Sequence, residues 1–299
     1  MKINQGPCKT SLLDHPHLSS LKRISLAFVA IVCGSVVSVL PVKADYSPPL
    51  PGLVAWWRGN GDATDSSGNG HDGTLEGGMG FTAGVYGQAF AAGSNKRAYV
   101  PDSPAFQLSS LTIGAWAKPS QVAYNFFFRG DNRTGLDPYA FGMDPNNGRC
   151  LFEIQDGSGG FTPLETPNAM PLNQWAHYTA TLDGSTHDMR IYVNGVLAAQ
   201  TTATVTPLLA LDPSAVPGIG IGNAQDFYDF PFVGGIDEVV LYNRALSPGE
   251  VASLVPEPSG LSILVAGGVL LLSARRSRMD RGGFSVRALV HPWFGQPAA

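Results

Sequence analysis

IYVNGVLA, residues 191–198, is the stretch whose reading decides the fold. Ile191, Tyr192 and Val193 lead into Asn194-Gly195, and Val196, Leu197 and Ala198 lead out. A two-residue type I′ turn needs positive φ at both central positions, which Asn and Gly tolerate. The stretch therefore predicts two antiparallel strands joined by a tight hairpin. Outward from it the same grammar repeats. LTIGAWAKP (111–119) alternates, with Leu111, Ile113, Ala115 and Ala117 on one face and Thr112, Gly114, Trp116 and Lys118 on the other; period-two alternation marks a strand with distinct faces. YAFGMD (139–144) and RCLFEIQD (149–156) flank the turn PNNG, and LVAWW, GQAFAA, RAYVP, YNFFFRG, QWAHYTATLDG, GIGIGN and FVGGIDEVVLYN supply further short runs between turn residues. Only SPGEVASL (247–254) reads as helix, with Ser247 as N-cap and Pro248 at the first helical position. Roughly a dozen strands without intervening helices exclude a parallel α/β sheet, and the lack of a fixed-period repeat excludes a propeller or solenoid. The expected fold is all-β: two stacked antiparallel sheets in a jelly-roll sandwich.

Composition agrees. Of 299 residues 36 are Gly, only 14 % are charged, and the formal net charge is −4. Dense turns and sparse charge suit many short strands. With 19 Lys and Arg, several of them in the terminal segments, no nucleic-acid partner is expected.

Both ends carry targeting features. Lys22-Arg23, the apolar run Ile24–Leu40 and Val42-Lys43-Ala44 read as a secretory signal with expected cleavage after Ala44, an uncleaved anchor being the alternative for so long an apolar run. Residues 1–44 are set aside as signal region and 45–51 as a Pro-rich lead-in without core-forming residues, leaving 52–254 as one domain. Cys8 and Cys33 fall in the presequence, so Cys150 stands alone in the mature chain and reads as a small core or half-buried residue, not a nucleophile. After the domain comes Pro256-Glu257-Pro258, an apolar run over 261–274, and then Arg275, Arg276 and Arg278. Fourteen residues span about 21 Å as a helix, a short transmembrane segment whose positive flank stays cytoplasmic. Residues 279–299 follow as a cytoplasmic tail.

GLVAWWRGNGDATDSSGNGHDGTLEGG, VYGQAFAAG, YVPDSPAFQLSSLTIGAWAKP, QWAHYTATLDG, MRIYVNGVLAA and FVGGIDEVVLYNRALSPGEV, in this order from Gly52 to Leu254, resemble the laminin-G-like, concanavalin A-like lectin/glucanase domain. The resemblance implies a two-sheet jelly roll that binds glycans or proteins, frequently with calcium. The tail order of Pro-Glu-Pro, apolar run and arginine cluster over 255–278 resembles the PEP-CTERM sorting signal. That implies an exosortase-type processing enzyme, transient anchoring in the inner membrane, and delivery to the surface or extracellular polysaccharide matrix of a Gram-negative bacterium.

Three kinds of site are conceivable on such a domain. Retaining glycanases need two carboxylates about 5–5.5 Å apart, on strands of this fold commonly spelled E-x-D-x-E, and no such run exists. Glu153 and Asp156 point to opposite faces of a strand, as do the adjacent Asp237 and Glu238. His71, His177 and His187 lack a nucleophile partner and read as surface or hydrogen-bonding residues. No catalytic residue is assigned. For a hard cation such as structural Ca²⁺, the loop GDATDSSGNG offers Asp62, Asp65 and Asn69, with Asp237 brought near if the first and last strands are neighbours; the competing reading is that these side chains only build turns. For a glycan or protein partner the candidates are Tyr124, Asp131, Arg133, Asn146, Asn147 and Tyr228. The tripeptide Arg129-Gly130-Asp131 is read as chance. The expectation is a non-catalytic surface or matrix binder; the alternatives are a divergent glycoside hydrolase and a purely structural matrix protein.

Overall fold

The computed structural model describes residues 46–48, 51–133, 136–225 and 230–255. Two antiparallel sheets stack into a sandwich. The larger holds β1 (Leu53–Trp57), β3 (Gly80–Ala83), β4 (Gln88–Ala92), β6 (Leu111–Pro119), β11 (Ala176–Asp183), β12 (Asp188–Val193), β13 (Val196–Thr202) and β15 (Gly234–Tyr242). Its order is β13-β12-β11-β6-β15-β4-β3, with β1 also paired to β15. The smaller holds β2 (Thr74–Glu76), β5 (Arg97–Pro101), β7 (Phe127–Gly130), β8 (Tyr139–Met143), β9 (Arg149–Gln155), β10 (Phe161–Ala169) and β14 (Gly218–Ile221), in the order β10-β9-β8-β7-β14-β5-β2. This is the all-β two-sheet architecture expected from the sequence.

Local signals hold where the chemistry is local. Val193 pairs with Val196 across Asn194 and Gly195, whose φ values are +49° and +78°. Helix α1 (Pro248–Ser253) starts with a capping box between Ser247 and Glu250, which satisfies amides that no helical carbonyl can reach. On β6, Leu111, Ile113, Ala115 and Ala117 enter the main core between the sheets, together with Trp57, Phe90, Phe127, Phe141, Phe152 and Cys150. Cys150 is fully buried, and burial pushes its thiol well above the usual range.

A second core lies on the outer face of the larger sheet. Tyr46, Tyr86, Tyr192, Val240, Tyr242, Leu246, Val251 and Leu254 gather there, with Trp56 and Trp116 against them. The lead-in is therefore not free of core residues. Tyr46 is only 2 % exposed, and its ring lies 5.9 Å from Trp56 and 5.3 Å from Tyr86. Nothing in a DYSPPLP run signals this, because the partners come from distant strands.

The same face corrects one sequence reading and decides another. Asp237 pairs with Trp116 and Val240 with Gly114, so β15 carries one extra residue in a β-bulge, with Glu238 at φ +52°. Ile236, Val239 and Leu241 point into the main core and Val240 into the second. Asp237 and Glu238 thus do not diverge; the bulge turns both carboxylates to the outer face, where both are fully buried. His177 is hydrogen-bonding rather than surface-exposed: fully buried, its Nδ1 lies 3.2 Å from Thr179 Oγ1 and its ring meets Trp116 edge-on at 5.3 Å.

Asp65 anchors the long loop between β1 and β2. One carboxylate oxygen accepts from Trp56 N and Ser67 N, each at 2.9 Å, and the other from Ser67 Oγ at 2.9 Å and His71 N at 3.0 Å. Asp65→Ala strips acceptors from three backbone amides, and a lost charge-assisted hydrogen-bond set of this kind destabilises by about 2–3 kcal/mol. Urea unfolding at neutral pH measures it. A loss below about 0.5 kcal/mol, the scale of an ordinary surface substitution, would mean that those amides find other acceptors.

Candidate binding face of the smaller sheet

The outer face of the smaller sheet carries a transverse row of residues in register: Pro163, Glu153, Ala140, Phe128, Gly220, Tyr99 and Thr74. Ala140 and Gly220 are the low points. Two loops settle over them. Ala224 packs on Phe128 and Ala140, with Tyr124 and Phe230 against this small cluster. The rings of Tyr124 and Phe230 meet at 5.0 Å and 62°. Gly220 permits the close approach: a Cβ there would stand 2.1 Å from the carbonyl oxygen of Asn223 and 2.8 Å from Gln225 Nε2.

Polar groups frame the trough. Asn223 Oδ1 accepts from Ala224 N at 3.0 Å and Phe230 N at 2.9 Å, closing its loop. Arg97 donates to Glu76 and to the carbonyl of Ala224, both at 2.6 Å, and ties that loop to β5 and β2. Asn125 Nδ2 donates to Glu153 Oε1 at 3.4 Å. Burial raises the Glu153 carboxyl above its usual range; Asp144 adds to this and Asn125 opposes it. Asn125 is 6 % and Gln225 5 % exposed, yet among the described residues Asn125 Oδ1 and both amide atoms of Gln225 have no hydrogen-bond partner. Tyr124, Phe230 and Glu153 are half-buried and form the accessible edge. The result is a planar amide pair and a carboxyl beside an aromatic pair, with donor and acceptor capacity left over.

Of the residues chosen from sequence, only Tyr124 lies here with its side chain in the cluster. Asn146 and Asn147 sit in the neighbouring β8–β9 turn. Asn146 N donates to Asp144 Oδ1 at 2.6 Å, and Asn147 Nδ2 to Glu165 Oε2 at 3.1 Å. Asp131 and Arg133 lie beyond the opposite end of β7, beside residues 212–215. There Arg133 N, Nε and Nη2 all donate to Asp131, which is 1 % exposed. Arg129 is fully buried, so the Arg-Gly-Asp tripeptide is not displayed. Tyr228 lies outside the described residues, as do Ala44, Pro256, Glu257, Pro258, Arg275, Arg276, the run 261–274 and the tail 279–299. The loop 223–230 was expected to carry binding groups through Tyr228, but Asn223, Gln225 and Phe230 within it, and Asn125 and Glu153 outside it, were not named. For Asn125 the visible hint was an amide inside the apolar run YNFFF.

The four cation candidates separate into two groups. Asp62 Oδ1 accepts from Thr64 N at 3.1 Å, Asp65 is engaged as above, and Asn69 Nδ2 donates to the carbonyls of Leu53 and Val54 at 3.0 and 2.9 Å. First and last strands are neighbours, as expected, but Asp237 Oδ2 accepts from Val85 N at 2.6 Å and Tyr86 N at 2.9 Å on another loop. Among the described residues no three His, Cys, Asp or Glu side chains gather in a metal-holding group. Beside Asp237, Glu238 accepts from Trp56 Nε1 at 2.5 Å and faces Arg58 Nε at 3.5 Å. Burial lifts its carboxyl to about 7, Trp56 opposes this, and Asp237 adds to it.

A two-sheet antiparallel sandwich with loop-built polar and aromatic groups over one sheet defines a lectin-like β-sandwich protein. The chain belongs to the concanavalin A-like lectin/glucanases superfamily, which it matches over residues 92–252. Among solved structures, domain 4 of AbnA, a GH43 extracellular arabinanase from Geobacillus stearothermophilus, in complex with arabinotriose, aligns with a TM-score of 0.56 at 24 % identity, covering 68 % of this chain and 98 % of that one. The botulinum neurotoxin serotype D binding domain aligns at 0.53 and 16 %, covering 68 % of this chain and 51 % of that one. The receptor binding domain of the botulinum neurotoxin C/D mosaic serotype gives 0.54 and 16 %, with the same coverage. At such identities the likeness is one of fold. No curated protein matches the chain.

Proposed function

We propose that this is an exported, non-catalytic carbohydrate-binding protein that uses the outer face of its smaller sheet. One observation carries the reading: Asn125 and Gln225, both nearly buried, keep unmet hydrogen-bonding atoms beside the half-exposed rings of Tyr124 and Phe230. Sugars present hydroxyls to planar amides and C–H faces to aromatic rings, and specificity in pockets comes from a few such placed polar groups. The arabinanase domain that shares this fold was solved with arabinotriose, which makes oligosaccharides the first class to test. Support for a binder over a hydrolase is the state of the carboxylates. Asp237 and Glu238 are closed off from any substrate, and Asp144 is occupied by its own turn. Export and exosortase-type sorting to the surface or matrix rest on the sequence of the two ends.

Oligosaccharide arrays and calorimetry on cell-derived polysaccharide test the binding. Asn125→Ala and Gln225→Ala are each expected to weaken binding about tenfold, the worth of one good hydrogen bond, without new reducing ends appearing. Unchanged affinity in both variants would move the site elsewhere. Release of reducing ends by the parent protein would make it a hydrolase.

A further inference from the structure

At one corner of the sandwich the ends of β10 and of β11–β13 enclose a cavity of about 260 Å³, lined by Thr166 through Pro171, Tyr178, Val193 and Ala198. Its rim is apolar and exposed. Leu172 adjoins Pro171 at 42 % exposure, and Val196 and Leu197, between Val193 and Ala198, are 70 % and 47 % exposed. Val122, 47 % exposed, flanks Ala169 across Gly148. Four of the seven exposed large apolar side chains among the described residues thus lie on the segments that border this opening. Charge is sparse: Arg149, the register partner of Ala169, and Glu165, next to Thr166, face each other at 3.6 Å at the edge of the opening. Stretches 119–128, 166–176 and 193–205 contain no Asp, Glu, Lys or Arg. Exposed apolar patches of this kind mark interaction sites.

The exit of the chain says what covers it. A Cβ on Gly195 would lie 3.2 Å from Ala252 Cα and 3.9 Å from Val255 Cγ2, so the described chain ends beside the β12–β13 turn, next to Val196. Pro256–Gly260 then separate Val255 from the apolar run that begins at Leu261. Six residue steps reach about 20 Å at most. If that run enters a bilayer, as the proposed sorting of this protein requires, the corner bearing Val196 is held within that distance of it.

We propose that this apolar corner, with the Arg149–Glu165 pair at its edge, is a lipid-facing surface, which seats the domain against the outer face of the membrane while the C-terminal run is inserted. Four side chains alone bind a bilayer weakly. A short tether raises their effective concentration to the order of millimolar, and the scarcity of charge among the apolar segments lowers the cost of leaving water. Cleavage of the tail then releases the domain and uncovers the patch.

The test uses the full chain with Cys8 and Cys33 as serine, reconstituted in phosphatidylethanolamine–phosphatidylglycerol vesicles. A fluorophore is placed at Val196→Cys or, as reference, at Val216→Cys, which is 53 % exposed near the opposite end of β14. Nitroxide-bearing lipids are expected to quench the probe at 196 at least twofold and to leave 216 unquenched. Leu264→Asp with Leu270→Asp, which disables the run, should abolish the difference. Equal quenching at both positions while the tail is protease-protected overturns the docking surface. Quenching at 196 that survives disruption of the run overturns the anchor reading on which the proposal rests.

Discussion

Arg129→Met destabilises the domain by about 3–5 kcal/mol, the usual consequence of removing one partner of a buried ion pair. Arg129 is fully buried at the end of β7. Its Nε and Nη2 donate to the two oxygens of Asp102 at 3.1 and 3.2 Å, and Nη1 and Nη2 donate to the carbonyls of Leu208 at 3.2 Å and Leu209 at 2.8 Å. The guanidinium also lies 5.6 Å from the centre of the Tyr139 ring. Methionine keeps the stem but leaves a carboxylate and two carbonyls without donors. For a domain of this size the midpoint should fall by about 10 °C, measured by calorimetry at pH 7. Arg129→Lys should recover only part of the loss, because an ammonium cannot replace the planar fork. A drop under 2 °C for Arg129→Met would show that water satisfies the abandoned groups.

The second large effect is a pH dependence hidden by compensation. Burial lowers His177 from its usual 6.5 to about 3, so below pH 6.5 the unfolded chain takes up a proton that the folded domain refuses, and this contribution falls as pH falls. Glu238 works the other way. Its carboxyl is raised from 4.5 to about 7, so the folded domain holds a proton that the unfolded chain has released, and this contribution falls as pH rises through that window. Each slope is about 1.4 kcal/mol per pH unit, and the two oppose each other between pH 4.5 and 6.5. Glu238→Gln keeps an acceptor for Trp56 Nε1 and removes the titration. Relative to the parent, the variant should lose about 2–3 kcal/mol between pH 6.5 and 4.5. His177→Gln should lose a similar amount in the opposite direction, from pH 4.5 to 6.5. Denaturant curves at the two pH values decide it. Parallel behaviour of parent and Glu238→Gln would mean that Glu238 is already ionised across this range.

The candidate site shows why a constellation is harder to read than a fold. Tyr124 was visible because an aromatic next to a polar loop is a familiar signal. Glu153 had been weighed only against Asp156, within its own strand, whereas its partner Asn125 comes from the approach to β7. Asn223 and Gln225 arrive from a loop about a hundred residues away, pressed onto a sheet position that only glycine leaves open. No period or motif links these positions.

What the sequence by itself determined is the set of interactions that are local: the Asn194-Gly195 hairpin, the Ser247–Glu250 capping box, the alternation of β6, and from these the all-β sandwich. Positive φ, end-capping and period-two burial are properties of a few adjacent residues. Only the tertiary structure decided that Tyr46 is core, that Arg129 is buried, that a bulge turns Asp237 and Glu238 to one face, and that Asn125, Glu153 and Gln225 share a trough. Each of these depends on which strands become neighbours, and on one extra residue in a ladder that reverses the face of all that follows.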